Sequence, residues 1–557
     1  MTAGKPLIVQ SDRTLLLEVD HPDAEAARVA IAPFAELERA PEHVHTFRIT
    51  PLALWNARAA GFDAEQAIDA LLAWSRYDVP PALLVDVAET MSRYGRLVLD
   101  TDGTGGPGAP GGLELRATFA DDVAVLEEVL RAKGVAELVG ERIGTQVVRV
   151  PGEHRGRLKQ ALLKAGWPAD DLAGHVEGEP HPIELVTDGW AVRDYQAAAV
   201  RGFVAAGSGV VVLPCGAGKT IVGAAVMAEV SAQTLILVTN TVAARQWRRE
   251  LLTRTSLTEA EIGEYSGERK EIRPVTIATY QVLITKRKGA FPHLELFSAQ
   301  DWGLVVYDEV HLLPAPVFRM TADLQARRRL GLTATLVRED RREGDVFTLI
   351  GPKRHDVPWR DLEAQGWIAP AVCTEVRVTL GEADRMAAAV AEPDERYRVA
   401  STAEAKLTVV EAIVARHVGE PTLVIGQYLD QLDTLAARLG APLITGKTPN
   451  AERERLYDAF RSGAERLLVV SKVANFSIDL PDAAVAIQVS GSFGSRQEEA
   501  QRLGRILRPK RDGQQAHFYA VVARDTVDQE MAARRQRFLA EQGYAYAIVD
   551  AADLLGG

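Results

Sequence analysis

Four short blocks of this sequence hold residue types that together could bind a nucleotide and cleave its terminal phosphate. The first is Leu213-Pro214-Cys215-Gly216-Ala217-Gly218-Lys219-Thr220, between the apolar run 209–212 and the helix-like stretch 221–228. Strand, glycine turn and helix N-terminus, in that order, aim backbone N–H groups and the positive end of a helix dipole at one anion. Gly216, Ala217 and Gly218 would line the phosphates, Lys219 would reach the β- and γ-phosphates, and the Thr220 hydroxyl would coordinate Mg²⁺. The strict pattern G-x-x-x-x-G-K-[ST] has glycine where this chain has Leu213.

The second block, Asp308-Glu309-Val310-His311, ends the apolar run 303–307. In a parallel sheet the strand C-termini gather on one edge, where the phosphate loop also lies. There Asp308 would share Mg²⁺ with Thr220, and Glu309 would orient and deprotonate the attacking water. Thr333-Ala334-Thr335 follows the next apolar run and would set two hydroxyls, Thr333 and Thr335, beside His311, to pass a change at the γ-phosphate to neighbouring loops. In the third block, 501–508, a helix would put Gln501, Arg505 and Arg508 on one face. Two guanidinium groups on that face could stabilise the charge that develops on a transferring phosphoryl group. Because they belong to a second α/β unit, hydrolysis would be coupled to closure of the two units. The fourth block, Arg193-Asp194-Tyr195-Gln196, offers in Gln196 a carboxamide that can donate and accept at once, matching adenine and favouring ATP over GTP.

These blocks need sheets to position them. From about residue 185, apolar β runs alternate with helical patterns, the texture of parallel α/β sheets. Runs at 234–238, 303–307 and 329–332 form one series, and runs at 422–425, 467–470, 485–488 and 518–522 form a second, with a junction near 360–370. Only the first series carries a phosphate loop. Ahead of them, residues 113–180 alternate short strand-like and helix-like pieces, a small α+β domain. Residues 1–100 hold amphipathic helix-like segments at 64–74, with Asp63 as N-cap, and at 82–91, then the short apolar run 96–99. That order suits a winged-helix module and equally a plain helical adaptor. The Gly/Pro-rich stretch 101–112 reads as a linker joining two folded units. The expected division is therefore 1–100, linker 101–112, 113–180, 181–365 with the ATP site, and 366–557 with the arginine face.

At 557 residues, 47% hydrophobic and 25% charged, the chain has the size and composition of a soluble protein of several domains. Its net charge of −12 excludes a polycation, so nucleic acid would be met by local basic surfaces such as 286–288, 327–329, or Arg338, Arg341 and Arg342. Two cysteines, Cys215 and Cys373, cannot supply a disulfide framework or a cysteine-ligated cluster. No apolar run approaches the roughly 20 residues a membrane helix needs, so no membrane partner and a cytoplasmic location are expected.

With these blocks in this order, the chain resembles a superfamily 2 helicase motor and, more narrowly, the XPB family of DNA repair helicases in its prokaryotic form. The matching stretches are 192–196, the phosphate loop, 308–311, 332–340, 471–481 and 495–505, and the resemblance spans about 185–525. Arg338-Glu339-Asp340, shortly after the Thr-Ala-Thr block, separates this family from other helicases. The resemblance implies two RecA-like parallel-sheet motor domains in series, preceded by a helical or winged-helix-like domain and a small α+β domain, the latter similar to a damage-recognition domain. It implies ATP and Mg²⁺ as cofactors, with Arg193, Gln196, Gly216–Thr220 and Asp479 at the nucleotide, Asp479 touching ribose. It implies 3′–5′ movement on DNA, with Arg338, Glu339 and Asp340 helping to separate strands. A thumb-like insertion would fall within 384–406, short and poor in aromatic and basic residues, and Ser477 stands where many related helicases have glycine. Single-stranded, forked or damaged duplex DNA would be the partner. A duplex translocase, a scaffold recruiting a nuclease, and an RNA helicase stay open as alternatives.

Overall fold

The computed structural model describes residues 4–555 apart from 40–42, 104–111, 174, 176, 215, 288–290, 315, 318–319, 322–323, 325–326, 335–342, 358–360, 363–364, 366–370, 472–482, 492–514 and 542–545.

The chain begins with a four-stranded antiparallel sheet, Leu7–Val9 (β1), Thr14–Glu18 (β2), Glu36–Arg39 (β3) and Val44–Arg48 (β4), in the order β1-β2-β4-β3. Four helices accompany it: Ala24–Ile31, Pro51–Ala59, Ala64–Trp74 and Pro81–Ser92. Helix Ala64–Trp74 starts where the sequence places its cap: the Asp63 carboxylate accepts from the Gln66 amide, and the Gln66 side chain returns to the Asp63 N–H. Leu15, Phe47, Leu54, Leu71 and Leu83 close one core between this sheet and its helices. The N-terminal unit thus has the expected helices and, in addition, a sheet of its own.

The apolar run after the fourth helix does not belong to that unit. Leu97–Thr101 (β5) pairs antiparallel with Leu113–Ala117 (β6), from Leu97 opposite Ala117 to Thr101 opposite Leu113. Val147–Val150 (β7) and Ala169–Asp171 (β8) complete a four-stranded sheet ordered β7-β6-β5-β8. Leu97, Leu99, Leu113 and Leu115 are all buried and meet Leu126 and Leu158 of its helices Val123–Arg131 and Arg155–Lys164. The expectation that 101–112 links two separate units is corrected here: its flanks are neighbouring strands of one sheet, closed by the Asp102 N–H on the Gly112 carbonyl at 2.8 Å. Period-two alternation on both sides, burying one face, decides this against the flexibility that the Gly/Pro composition suggests.

Two seven-stranded sheets follow, every pairing in them parallel. The first contains Ser208–Val212 (β9), Thr234–Val238 (β10), Ile262–Tyr265 (β11), Val275–Thr279 (β12), Leu304–Asp308 (β13), Arg328–Thr333 (β14) and Lys353–Asp356 (β15), ordered β11-β12-β10-β13-β14-β9-β15. The second contains Ala371–Val378 (β16), Thr422–Gly426 (β17), Leu443–Ile444 (β18), Leu467–Ser471 (β19), Val485–Gln488 (β20), Ala516–Ala523 (β21) and Tyr546–Asp550 (β22), ordered β18-β19-β17-β20-β21-β16-β22. Their central strands are buried along their whole length and mostly apolar, as strands covered on both faces must be. The junction expected near 360–370 falls largely outside the described residues. The stretch 384–406 forms the helix pair Glu382–Val390 and Pro393–Ser401 and the start of helix Glu404–Arg416.

Both small units touch the first parallel-sheet unit through polar anchors. The Asn56 side chain accepts from the Lys353 amide at 3.2 Å, and Arg354 donates to the Ala59 carbonyl at 3.3 Å and to the Ser208 carbonyl, at the root of β9, at 3.0 Å. Gln160 donates to Asp345 at 2.8 Å.

Candidate active site

The register of the first sheet brings the sequence blocks together. β14 lies between β9 and β13, with Thr333 opposite Val212 and Leu332 opposite Asp308, so three strand ends face one edge. Leu213 continues β9 by donating its N–H to the Thr333 carbonyl at 2.9 Å. This explains the missing glycine: position 213 is buried directly after β9, and the left-handed backbone comes later, at Gly216 and Gly218, each with φ of 82°. At Gly218 a Cβ would also stand 2.5 Å from Gln196 Nε2.

Helix Lys219–Val230 starts directly after the turn and presents Lys219 and Thr220 in its first turn. The Lys219 ammonium lies 3.2 Å from the Glu309 carboxylate, with side chains only 12% and 17% exposed. Glu309 is one of four non-glycine residues with positive φ among those described, at φ 49° and ψ 53°. Such backbone costs on the order of 1–3 kcal/mol and persists where the surroundings hold it, as at active sites. Beyond it, His311 Nδ1 lies 2.6 Å from the Thr333 hydroxyl and 3.6 Å from Glu309. The expected partnership of His311 with Thr333 is therefore present; Thr335 lies outside the described residues.

Asp308 sits deeper. Its Oδ2 accepts from the Trp247 indole N–H at 2.9 Å, its Oδ1 from the Glu309 amide at 3.1 Å, and its carbonyl from the Tyr280 hydroxyl at 2.9 Å. Burial and then the Glu309 charge push its carboxyl up to about 6, against the pull of Lys219 and the Trp247 N–H. Burial also pushes Glu309 up, but the Lys219 ammonium and His311 outweigh it and hold that carboxyl below its ordinary value. Two half-buried acids thus face one ammonium. A hard, oxygen-preferring cation fits this donor set of hydroxyl and carboxylate. Among the described residues no three His, Cys, Asp or Glu side chains form a metal site of their own.

The Gln196 amide is buried, with Nε2 donating to the Ala217 carbonyl at 2.9 Å and Oε1 accepting from the Arg193 N–H at 3.0 Å. Tyr195 donates its hydroxyl to the same carbonyl at 2.8 Å, and Arg193 donates to that hydroxyl at 3.0 Å. In this structure the carboxamide braces the phosphate loop from a buried position close to Gly218. The sequence assigns no role to Trp247 or Tyr280, and Tyr195 enters it only as a member of the fourth block; Trp247 lies on helix Thr241–Arg254 and Tyr280 opens the four-residue helix Tyr280–Leu283, and neither carries a local signature of its bond to Asp308. Gln501, Arg505, Arg508, Asp479, Arg338, Glu339 and Asp340 lie outside the described residues.

Two parallel sheets in series, the first with a phosphate loop and an acid pair at one edge, define a RecA-like, nucleotide-dependent helicase motor. Two family models match these sheets: "ERCC3/RAD25/XPB C-terminal helicase" residues 362–555 and "Type III restriction enzyme, res subunit" residues 190–338; a third, "Helicase conserved C-terminal domain", matches residues 7–144, ahead of them. The chain is 72% identical over 557 residues to a DNA 3′-5′ helicase XPB of Kineococcus radiotolerans, covering 100% of this chain and 98% of that one. It is 69% identical over 556 residues to a DNA 3′-5′ helicase XPB of Mycobacterium tuberculosis, covering 100% of both. A more distant relative, the general transcription and DNA repair factor IIH helicase/translocase subunit XPB of Antonospora locustae, is 34% identical over 98% of this chain and 82% of its own. The chain belongs to the XPB family of DNA helicases.

Proposed function

We propose that this chain is an ATP-dependent 3′–5′ DNA helicase acting in repair of the nucleotide-excision type, and that the edge of the first sheet is its hydrolytic half-site. The observation that carries the reading is the 3.2 Å approach of Lys219 to Glu309, which joins the phosphate loop to the acid strand. Lys219 binds the β- and γ-phosphates and in doing so leaves Glu309. Glu309 is then free to orient the attacking water and accept its proton, with His311 and Thr333 relaying the change along β14. Thr220 and Asp308 hold Mg²⁺, which neutralises charge on the phosphate oxygens when bound. Gly216, Ala217 and Gly218 supply backbone N–H groups to the phosphates, with Arg193 and Gln196 holding that loop. From the second lobe, Gln501, Arg505 and Arg508 stabilise the transferring phosphoryl group and Asp479 meets the ribose. Thr335 joins the His311 relay, and Arg338, Glu339 and Asp340 act in strand separation.

The division into units would run near 1–96, 97–180, 181–365 and 366–557. Forked, single-stranded or damaged duplex DNA is the substrate, and cutting would require a separate nuclease partner. No helix among the described residues is long and apolar enough to cross a membrane; action on DNA supports a cytoplasmic location.

The printed name of the Antonospora relative, helicase/translocase, favours one second reading: movement along duplex without unwinding. ATP-driven strand displacement on forked DNA, run beside triplex displacement on blunt duplex, separates the two. The helicase reading expects displacement of the forked strand, lost in Lys219→Ala. Triplex displacement alone would replace it with the translocase, and activity retained in Lys219→Ala would remove the site.

A further inference from the structure

Trp247 is a large, nearly fully buried side chain on helix Thr241–Arg254, 1% exposed, in the core between the first motor sheet and its helices. Packing alone would account for a buried indole there, but three features go beyond packing. Its N–H is aimed at Asp308 Oδ2 at 2.9 Å, a contact spanning 61 residues of sequence. Its ring edge lies against Gly223, where a Cβ would stand 2.4 Å from Trp247 Cη2 and 3.0 Å from Cζ3. And Gly223 belongs to the helix that begins with Lys219 and Thr220, four and three residues earlier, hence on their face of that helix. One indole therefore ties the helix carrying the Thr220 hydroxyl to the strand carrying the Asp308 carboxylate. Glycine in a helix interior costs about 0.5–1 kcal/mol relative to alanine, and here it makes the space that the indole occupies.

We propose that Trp247 is a positioning residue that fixes the Asp308 carboxylate for the divalent cation of the nucleotide, with Gly223 as the gap that admits it. The inference rests on the reading of Thr220 and Asp308 as the cation's ligands. The Asp308 carboxylate has about four acceptor directions. The Glu309 amide takes one on Oδ1 and the indole takes one on Oδ2, which settles the plane of the group and leaves the remaining directions for a cation and its water. Without the indole N–H the carboxylate would be tethered through Oδ1 alone and free to rotate. Donors that orient metal ligands in this way change metal affinity by roughly 10–100-fold when removed.

The test is Mn²⁺ binding to the full chain in the presence of ADP, followed by electron paramagnetic resonance, beside ADP binding in EDTA. Trp247→Phe keeps the ring and removes the N–H; Trp302→Phe, which takes a buried indole N–H off the Leu296 carbonyl elsewhere in the same lobe, is the control. Trp247→Phe should weaken Mn²⁺ about tenfold or more, with metal-free ADP affinity within about twofold of wild type and Trp302→Phe unchanged in both. Gly223→Ala, which displaces the indole without touching its chemistry, should weaken Mn²⁺ in the same direction. Unchanged Mn²⁺ affinity in Trp247→Phe overturns the proposal, as does an equal loss with and without metal, which is the mark of a purely structural tryptophan. Should Trp247→Phe fail to fold, Gly223→Ala decides by the same two criteria. If wild type shows no ADP-dependent Mn²⁺ site, the ligand reading itself falls and takes this inference with it.

Discussion

Each motor sheet places a lysine–carboxylate pair at its C-terminal edge, and the two pairs are built for opposite ends. In the first sheet Lys219 meets Glu309 at 3.2 Å, both side chains partly exposed, the lysine on a glycine turn and the glutamate on left-handed backbone. In the second, Lys406 meets Asp528 at 2.6 Å with side chains 0% and 1% exposed. Lys406 also donates to the Val489 carbonyl at the end of β20, and Asp528 accepts the Ala523 amide at the end of β21. Tyr397 adds a hydroxyl to the Gly491 carbonyl, and Ser490 is held by Gln431. The second pair is thus a rivet across two strand ends, at the root of the segment that carries Arg505 and Arg508. On the proposed function the first is a placeholder that an incoming phosphate would displace. Water access, and partners drawn from side chains or from backbone, separate a site from a fastening even where the charges are the same.

The largest expected effect lies in the first pair. Glu309→Gln keeps the size and one acceptor oxygen but cannot take a proton, so it should bind ATP while hydrolysis falls by roughly 10²–10⁴-fold. Single-turnover hydrolysis beside ATP binding measures this, and turnover near wild type would end the assignment of Glu309 as base. Stability should change little, since the pair is not a fastening. The second pair should behave the other way round. Lys406→Met leaves the Asp528 carboxylate buried without its ammonium, at a cost of about 3–5 kcal/mol, whereas Lys406→Met with Asp528→Leu should regain most of that loss. Urea denaturation followed by hydrogen exchange in β20 and β21 would read it. A Lys406→Met protein as stable as wild type would erase the distinction between rivet and placeholder.

How much of this was legible in the sequence follows from the range of the contacts. The phosphate loop and acid pair are contiguous strings, and once β9, β14 and β13 are parallel neighbours their ends must meet; the Lys219–Glu309 and His311–Thr333 contacts follow from that. Helix Ala64–Trp74 was legible down to its capping residue because caps are local. Lys406–Asp528, 122 residues apart, and Trp247–Asp308 carry no local signature. The stretch 101–112 misled because glycine and proline mark a reversal of chain direction as readily as a boundary between units. Only the pairing of Leu97–Thr101 with Leu113–Ala117 distinguishes the two. The Gln196 contacts were not legible either: its capacity to donate and accept is plain in the sequence, but that the loop backbone engages both groups is not.

The smallest expected effect tests the comparison on a group that must stay uncharged. His45, in β4 of the N-terminal unit, is 7% exposed, and burial, with Arg28 as a charged neighbour, lowers its imidazole to about 4. The unfolded chain protonates this histidine below about 6.5, while the folded one resists until about 4. Folding therefore excludes a proton that the unfolded state takes up, and stability falls as pH drops through that window. It is fully present above 6.5 and suffers no further loss from this group below about 4. The difference amounts to about 3 kcal/mol at most. Hydrogen exchange at β4 amides, corrected for intrinsic rates, should show opening becoming easier from pH 6.5 to 4, and His45→Gln should flatten that slope. Turnover per folded molecule should be indifferent to the substitution, because this histidine, like the Lys406–Asp528 rivet, serves the fold and has no part in the exchange of Glu309 for phosphate. A slope unchanged in His45→Gln would assign the pH response to other groups and remove His45 from that class.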